Sequence, residues 1–353
     1  MRDLLSLSGA WPLRLPHLAC TVVAGGLLLA SGFVMAAPPD AGPAAQAAPA
    51  ARAGDDGDVV KWLIRGHEAS RKRSYVGTLV VLSANGSMSS SRIWHVCEGS
   101  QQAERVESLT GTPRSTFRRN DEVMTFLPEL RLARSERRDS FGLFPNLLRV
   151  GEATVAGFYG ARVLGAQRVA GLDTDVVQVV PKDGMRYGYR LWTEKKSGLV
   201  VQLQTLAADG RVLEQAAFSE LDMGAPLRMD QLVRMMNNTA GYKVERLEVV
   251  KTTGADEGWT LKEPIPGFQP VSCYRRTAPS VSRTVHWIFS DGLATVSLFI
   301  EPYGPQPRQE SQMAVGVTQM LSQRVAGDWW LTAVGEVPVA TLQAFAQSLE
   351  RRP

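Results

Sequence analysis

His95-Val96-Cys97 places an imidazole and a thiol two residues apart, so on an extended strand both side chains leave the same face. Two ligands of a zinc site need that arrangement, but no third or fourth ligand follows at a usable spacing, and no metal site is expected. The 353-residue chain has only four histidines and three cysteines. It has no Gly-x-Ser-x-Gly elbow, no His-Glu-x-x-His pair and no Walker-type phosphate loop. Asp55-Asp56, and Asp173 with Asp175, pair carboxylates in tail and turn contexts, where solvated charge is the default. The Asn237-Asn238-Thr239 sequon adds no catalytic group. A serine and a histidine brought together by folding stay open as an alternative, but nothing marks an enzyme and no cofactor is implied.

The N-terminus states a destination. Arg2 and Arg14 precede an apolar run over residues 18–34, followed at once by Ala36-Ala37-Pro38-Pro39, with small residues for cleavage at Val34-Met35-Ala36. Residues 1–36 read as a secretory signal peptide that delivers the chain to the periplasm, with an uncleaved anchor as the alternative. Cys20 makes a poor lipoprotein site, because His17 stands three residues before it and apolar chain continues after it. Residues 37–58 are Ala/Pro-rich and aperiodic, so they bury too little apolar surface to order themselves, and folded chain is expected from Val59.

The formal charge of +4 falls to +3 when Arg2, Asp3 and Arg14 leave, too mild a balance to argue for nucleic acid. Two basic clusters stand out: Arg71-Lys72-Arg73, and the run over 131–138 that contains Arg131 and Arg134. Each is a solvated face or a contact for an acidic peptide or a lipid phosphate. Cys97 and Cys273 would remain after cleavage, one in each half. Two free thiols are expected, since a bridge between domains would forbid relative motion.

The elements that carry these groups are mostly strands. Tyr187-Gly188-Tyr189-Arg190-Leu191-Trp192 alternates, Lys195-Lys196-Ser197-Gly198 turns, Leu199-Val200-Val201-Gln202-Leu203 returns, and residues 212–218 close a meander after Ala208-Asp209-Gly210. Earlier strands are expected over 75–82, 91–97, 103–109, 117–127 (a hairpin at Asn120-Asp121), 130–137, 161–169 and 175–180, behind an amphipathic helix over 59–70. A sheet this wide coils toward a half-barrel whose concave face must be filled by helices or a ligand. Apolar residues 141–148, broken by Gly142 and Pro145, read as a plug or a lid for it. Residues 227–238, with Met229, Met235 and Met236, read as a short helix or connector. Beyond it come strands over 244–251 and 259–262, a hairpin across Asp291-Gly292, another formed by 314–325 with 329–334, and a helix over 337–350.

Several blocks in order resemble the MucB/RseB family: Tyr75-Val76-Gly77-Thr78, Leu127-Pro128, Arg186-Tyr187-Gly188-Tyr189-Arg190-Leu191-Trp192, Ser197-Gly198-Leu199, Leu213-Glu214-Gln215, Ile265-Pro266-Gly267-Phe268 and His286-Trp287-Ile288-Phe289-Ser290-Asp291-Gly292-Leu293-Ala294. The resemblance runs from about Val59 to the C-terminal region, is loose over 141–159, and leaves out the Ala/Pro-rich segment. It implies a periplasmic negative regulator of the envelope-stress sigma factor. Such a protein grips the periplasmic segment of a single-pass anti-sigma factor, shields it from regulated proteolysis, and is released by lipid or lipopolysaccharide signals.

The resulting expectation is an α+β fold. Residues 59–222 form a large antiparallel half-barrel sheet with helices on its concave face, lipoprotein-carrier-like. Residues 223–242 connect it to a smaller α+β C-terminal domain over 243–353. Trp62, Trp94, Phe126, Phe141, Phe144, Tyr189 and Trp192 are candidates to line a lipid cavity, with Arg131 and Arg134 at its rim. Because strand alternation separates Tyr189 from Trp192, only one of the two can face it. Trp287, Phe289 and Phe299 are candidates for the partner groove, against the plainer reading that they build the small domain's core. A homo-oligomer is left open as a route to two states. A periplasmic lipid or lipoprotein carrier is the alternative function.

Overall fold

The computed structural model describes residues 59–137, 152–246, 248–278, 281–305 and 307–352. The signal segment, the Ala/Pro-rich segment and the apolar stretch with Phe141 and Phe144 lie outside the described residues.

Helix α1 (Val59–Lys72) opens the fold, burying Val59, Val60, Leu63, Gly66 and Ala69 at helical spacing. Arg71 and Lys72 in its last turn complement the negative end of the helix dipole. Six strands follow as sequential hairpins: β1 (Tyr75–Ser83), β2 (Met88–Glu98), β3 (Gln101–Ser108), β4 (Ser115–Arg119), β5 (Glu122–Leu127) and β6 (Leu132–Arg137). After α2 (Glu152–Phe158) come β7 (Tyr159–Val169), β8 (Leu172–Pro181) and the meander β9 (Gly188–Glu194), β10 (Val200–Leu206) and β11 (Val212–Asp222). Strand β11 returns to pair with β1, joining the two runs into one sheet.

The segment after β11 packs on the large sheet. Helix α3 (Met229–Asn237) packs on β2, β3 and β4, burying Met229, Leu232 and Met236, so these methionines fill a core. The chain then adds β12 (Lys243–Arg246) beside β6 as the sheet's twelfth strand, the one parallel pair among the described residues. The helices do not all share one face. Register places Tyr75, His95, Phe218, Leu203, Leu191 and Tyr189 on one side, where α1 and α2 pack, and Trp94, Val96, Phe117 and Phe126 on the other, under α3.

A second sheet follows, built from β13 (Glu248–Thr252), β15 (Gln269–Ala278), β16 (Val281–Ser290), β17 (Thr295–Pro302), β18 (Ser311–Val315), β19 (Thr318–Val325) and β20 (Trp329–Gly335). A short ladder pairs β14 (Trp259–Leu261) with β21 (Leu349–Arg351). The strand expected over 314–325 is broken: Gly316 takes φ +59 and turns the chain, so β18 and β19 form a hairpin of their own. Helix α4 (Val339–Ser348) seats Leu342 and Phe345 on Val296, Leu298, Leu331 and Ala333. Each such large side chain contributes about 1.5–3 kcal/mol on burial. Among the described residues no helix is long and apolar enough to cross a membrane.

Candidate functional site

Strand alternation resolves the choice between Tyr189 and Trp192. Tyr189 and Leu191 point toward α1 and α2 and pack with Val59, Val60, Leu63, Val155 and Tyr159, with Trp62 half-buried at the margin. Trp192 occupies the reverse face and donates from Nε1 to Gln167 Oε1 at 2.8 Å. Trp94 and Phe126 share that reverse side: Trp94 lies against α3 with Arg105 over its ring at 4.7 Å, and Phe126 packs edge-on against Phe117 and Tyr242. One cavity therefore cannot hold all the aromatic candidates, because period two sends them to both sides of the sheet. Trp62 and Tyr189 converge; Trp94, Phe126 and Trp192 do not join them. Arg131 is exposed at φ +47 after the turn Pro128–Leu130, and Arg134, half-buried on the α1 side, meets Glu245 of β12 at 3.7 Å.

In the second sheet Trp287 and Phe289 lie in the core, their rings 4.7 Å apart, and Phe289 also packs on Phe345. Phe299 points to the opposite face, stacked on His286 at 4.2 Å with the Arg276 guanidinium 5.8 Å from its ring. It is the candidate of the three that core packing does not absorb.

The densest arrangement of chemistry-bearing groups is a seam between the two sheets. Arg186, just before β9, is buried with its side chain 0% exposed. Its Nε lies 3.3 Å from Asp183 and 3.4 Å from Asp291, and its Nη2 donates to the Pro266 carbonyl at 2.7 Å. The guanidinium also faces the rings of Phe158 at 4.3 Å, Phe268 at 5.2 Å and Tyr159 at 5.7 Å. Asp291, at the β16–β17 turn, accepts from the backbone N–H groups of Leu293 and Ala294 on Oδ1 and from the Tyr159 hydroxyl at 2.8 Å on Oδ2. Burial pushes the Asp291 carboxyl up even so, against the pull of those N–H groups, Arg186 and Tyr159.

Three further contacts close the seam. Thr341 of α4 donates to the Met185 carbonyl at 2.6 Å, and Leu293 packs into the cluster around Tyr189. At the far end, the β18–β19 turn brings Gly316 against Ser83 and Glu214, the ends of β1 and β11. Gly267 has no tolerated replacement: its φ is +80, and a Cβ there would stand 2.8 Å from the Phe158 ring. Three blocks far apart in sequence, around Arg186, Gly267 and Asp291, thus meet at one place. Arg186 and Asp291 each stand in a family-like block, but their partnership across 105 residues is not legible from either block alone.

His95 and Cys97 do share one face of β2, and Glu104 of β3 joins them. Both imidazole nitrogens are occupied by these partners, and among the described residues no group of three or more His, Cys, Asp and Glu side chains is arranged to hold a metal ion. Cys97 and Cys273 are both free thiols.

Comparison with known proteins agrees across both sheets. Residues 58–236 match the family described as MucB/RseB N-terminal domain, and residues 253–350 match the MucB/RseB C-terminal domain. The chain is 31% identical over 309 residues to the sigma factor AlgU regulatory protein MucB of Pseudomonas aeruginosa, covering 86% of this chain and 93% of that relative. It is 24% identical over 284 residues to the sigma-E factor regulatory protein RseB of Escherichia coli, covering 80% and 87%. In the solved complex of Pseudomonas aeruginosa MucA and MucB, a chain 29% identical superposes with a TM-score of 0.65, over 84% of this chain and all of that one. With both halves matched in order around a shared seam, the chain belongs to the MucB/RseB family of sigma factor regulatory proteins.

Proposed function

We propose that the protein binds the periplasmic segment of a single-pass membrane anti-sigma factor, protects that segment from regulated proteolysis and so keeps a sigma factor inactive, with lipid or lipopolysaccharide signals releasing it. The observation that carries this reading is the likeness, across both sheets, to a MucB solved in complex with MucA. In this reading residues 1–36 are removed on export to the periplasm. Residues 59–222 form the carrier-like domain, residues 223–242 connect, and the chain from 243 forms the second domain, its first strand β12 reaching back to β6. The α1 side of the large sheet, at Trp62 and Tyr189, receives an acyl chain, with Arg134 on the same side. Phe299 offers an apolar contact to the partner on the face of the second sheet opposite Trp287 and Phe289.

Calorimetric titration of the mature protein with the periplasmic segment of the anti-sigma factor encoded beside it tests this, repeated with lipopolysaccharide fragments present. Saturable one-to-one binding that the fragments weaken is the expected result. Retention of lipid without any binding of the segment would overturn the reading in favour of a periplasmic lipid carrier.

A further inference from the structure

We propose that Cys97 is a nucleophilic thiol, activated by His95 and oriented through Glu104, that forms mixed disulfides with small anionic disulfides. His95 Nε2 lies 3.2 Å from Cys97 Sγ, and His95 Nδ1 lies 3.3 Å from Glu104 Oε2. A thiol, an imidazole that pairs with it and a carboxylate that orients the imidazole are thus in hydrogen-bonding sequence. The three differ in exposure as that role requires: His95 and Glu104 are buried, whereas Cys97 is partly open to solvent. Tyr75 of β1 stacks on the imidazole at 5.2 Å and 26°, so the ring cannot swing away from the sulfur.

Charge around the ring keeps its proton in place. His95 is raised to about 9: burial opposes the charged ring, but the hydrogen bonds to Cys97 and Glu104 and the Glu104 charge outweigh it. Glu104 is lowered, burial again opposing, by His95 and by Arg118 of β4. A ring carrying both protons donates one to the carboxylate and one to the sulfur.

The surroundings choose the reactant. Cys97 lies where α1 ends, its N–H bonded to Ser74 Oγ at 3.0 Å and its sulfur 3.8 Å from the Arg73 carbonyl. The exposed Arg71-Lys72-Arg73 run is therefore beside it and favours an anionic disulfide. In the exchange, the Cys97 sulfur attacks one sulfur of R–S–S–R as the thiolate, its proton held on His95 as the imidazolium. A Cys97–S bond forms, the R–S–S–R bond breaks, and the leaving thiolate takes the electron pair and is protonated by the imidazolium or by water. Cys97 is oxidised to the mixed disulfide, and the departing R–SH is the reduced product. Cys273 supplies an internal control, being 4% exposed and pushed up to about 12 by burial and then by Glu257.

Oxidised glutathione is the probe, with adducts followed over time by intact mass and peptide mapping between pH 6 and pH 9. The expected result is a single adduct at Cys97, formed roughly tenfold or more faster at neutral pH than on an unstructured cysteine peptide, and slowed to the peptide's rate in His95→Gln. Glu104→Gln should lie between the two, with a steeper rise of rate with pH than the wild type shows. Reaction of Cys97 at the peptide's rate, first reaction at Cys273, no adduct at either thiol, or full reactivity in folded His95→Gln would each overturn the assignment. Should His95→Gln fail to fold, the wild-type rate against the peptide decides alone.

Discussion

Replacing Arg186 by Met removes the cation from the seam while keeping much of its length and apolar stem. Asp291 would then be left as an uncompensated charge among Tyr159, Phe158 and Phe268. Removing one partner of a buried ion pair costs about 3–5 kcal/mol. For a protein of this size that lowers Tm by roughly 10 °C. The deficit must also depend on pH in a fixed sense. Burial raises the folded-state Asp291 above its ordinary 3.8. A carboxyl raised in this way contributes stability that is complete below its unfolded value and is lost as pH climbs through its folded value. Without Arg186 the folded value rises further, so Arg186→Met should fall furthest behind the wild type near neutral pH and recover toward pH 4. Scanning calorimetry at pH 4, 5.5 and 7.5 reads this directly. Asp291→Asn is the companion variant: it keeps an oxygen for the Leu293 and Ala294 N–H groups and, with no carboxyl to titrate, should show a smaller loss that shrinks as pH rises. A deficit for Arg186→Met below about 1 kcal/mol, or one equal at all three pH values, would refute the account of the seam.

Three further outcomes follow from local geometry. Gly267→Ala forces a left-handed φ on a side chain and a 2.8 Å contact with Phe158, and should cost about 2–4 kcal/mol by urea unfolding. His95, raised from 6.5 to about 9, contributes stability that is complete below pH 6.5 and lost between there and pH 9. That loss should be on the order of 3 kcal/mol, and Glu104→Gln should flatten it when denaturation is followed across the window. Trp62→Ala should weaken uptake of a fluorescent fatty acid several-fold, while Trp94→Ala, on the reverse face, should leave uptake unchanged; equal effects would remove the α1 side as the acyl site.

Local periodicity carried the strands and failed where two distant strands had to choose a common face. The β9–β10–β11 meander was legible because its turns and alternation lie within one stretch of chain. Alternation also separated Tyr189 from Trp192, but which of them faces the helices depends on where α1 packs, and that is decided by the pairing of β1 with β11. Gathering Trp94 and Phe126 with Tyr189 failed for the same reason: each is aromatic, but the register that separates them runs from β5 to β9 through eight strands. The seam shows the opposite case. Its residues stood inside the blocks that carried the family resemblance, yet they read as strand and turn chemistry. Arg186 is buried for a reason that lies 105 residues away, in Asp291.

The seam also sets a quantity that any releasing ligand must meet. If release requires the two sheets to part there, Arg186 and Asp291 exchange each other for water; both regain hydration, so the net cost stays below the about 3–5 kcal/mol of stranding one buried charge. A ligand shifts such an equilibrium only by its difference in affinity for the two forms, and the preference for the parted form that the seam demands stays below roughly a few-thousand-fold. An acyl chain entering beside Tyr189 can supply that difference, because Leu293 of the second sheet fills the same cluster and would have to leave. Each CH₂ taking the place of water-exposed surface contributes about 0.8 kcal/mol, so four to six methylenes suffice. Displacement of a bound anti-sigma segment by fatty acids should therefore show a chain-length threshold at or below about six carbons. In Arg186→Met the threshold should move to shorter chains, because the closed form then strands Asp291. A titration series of chain lengths against both proteins measures this shift, and an unchanged threshold would separate lipid binding from the seam.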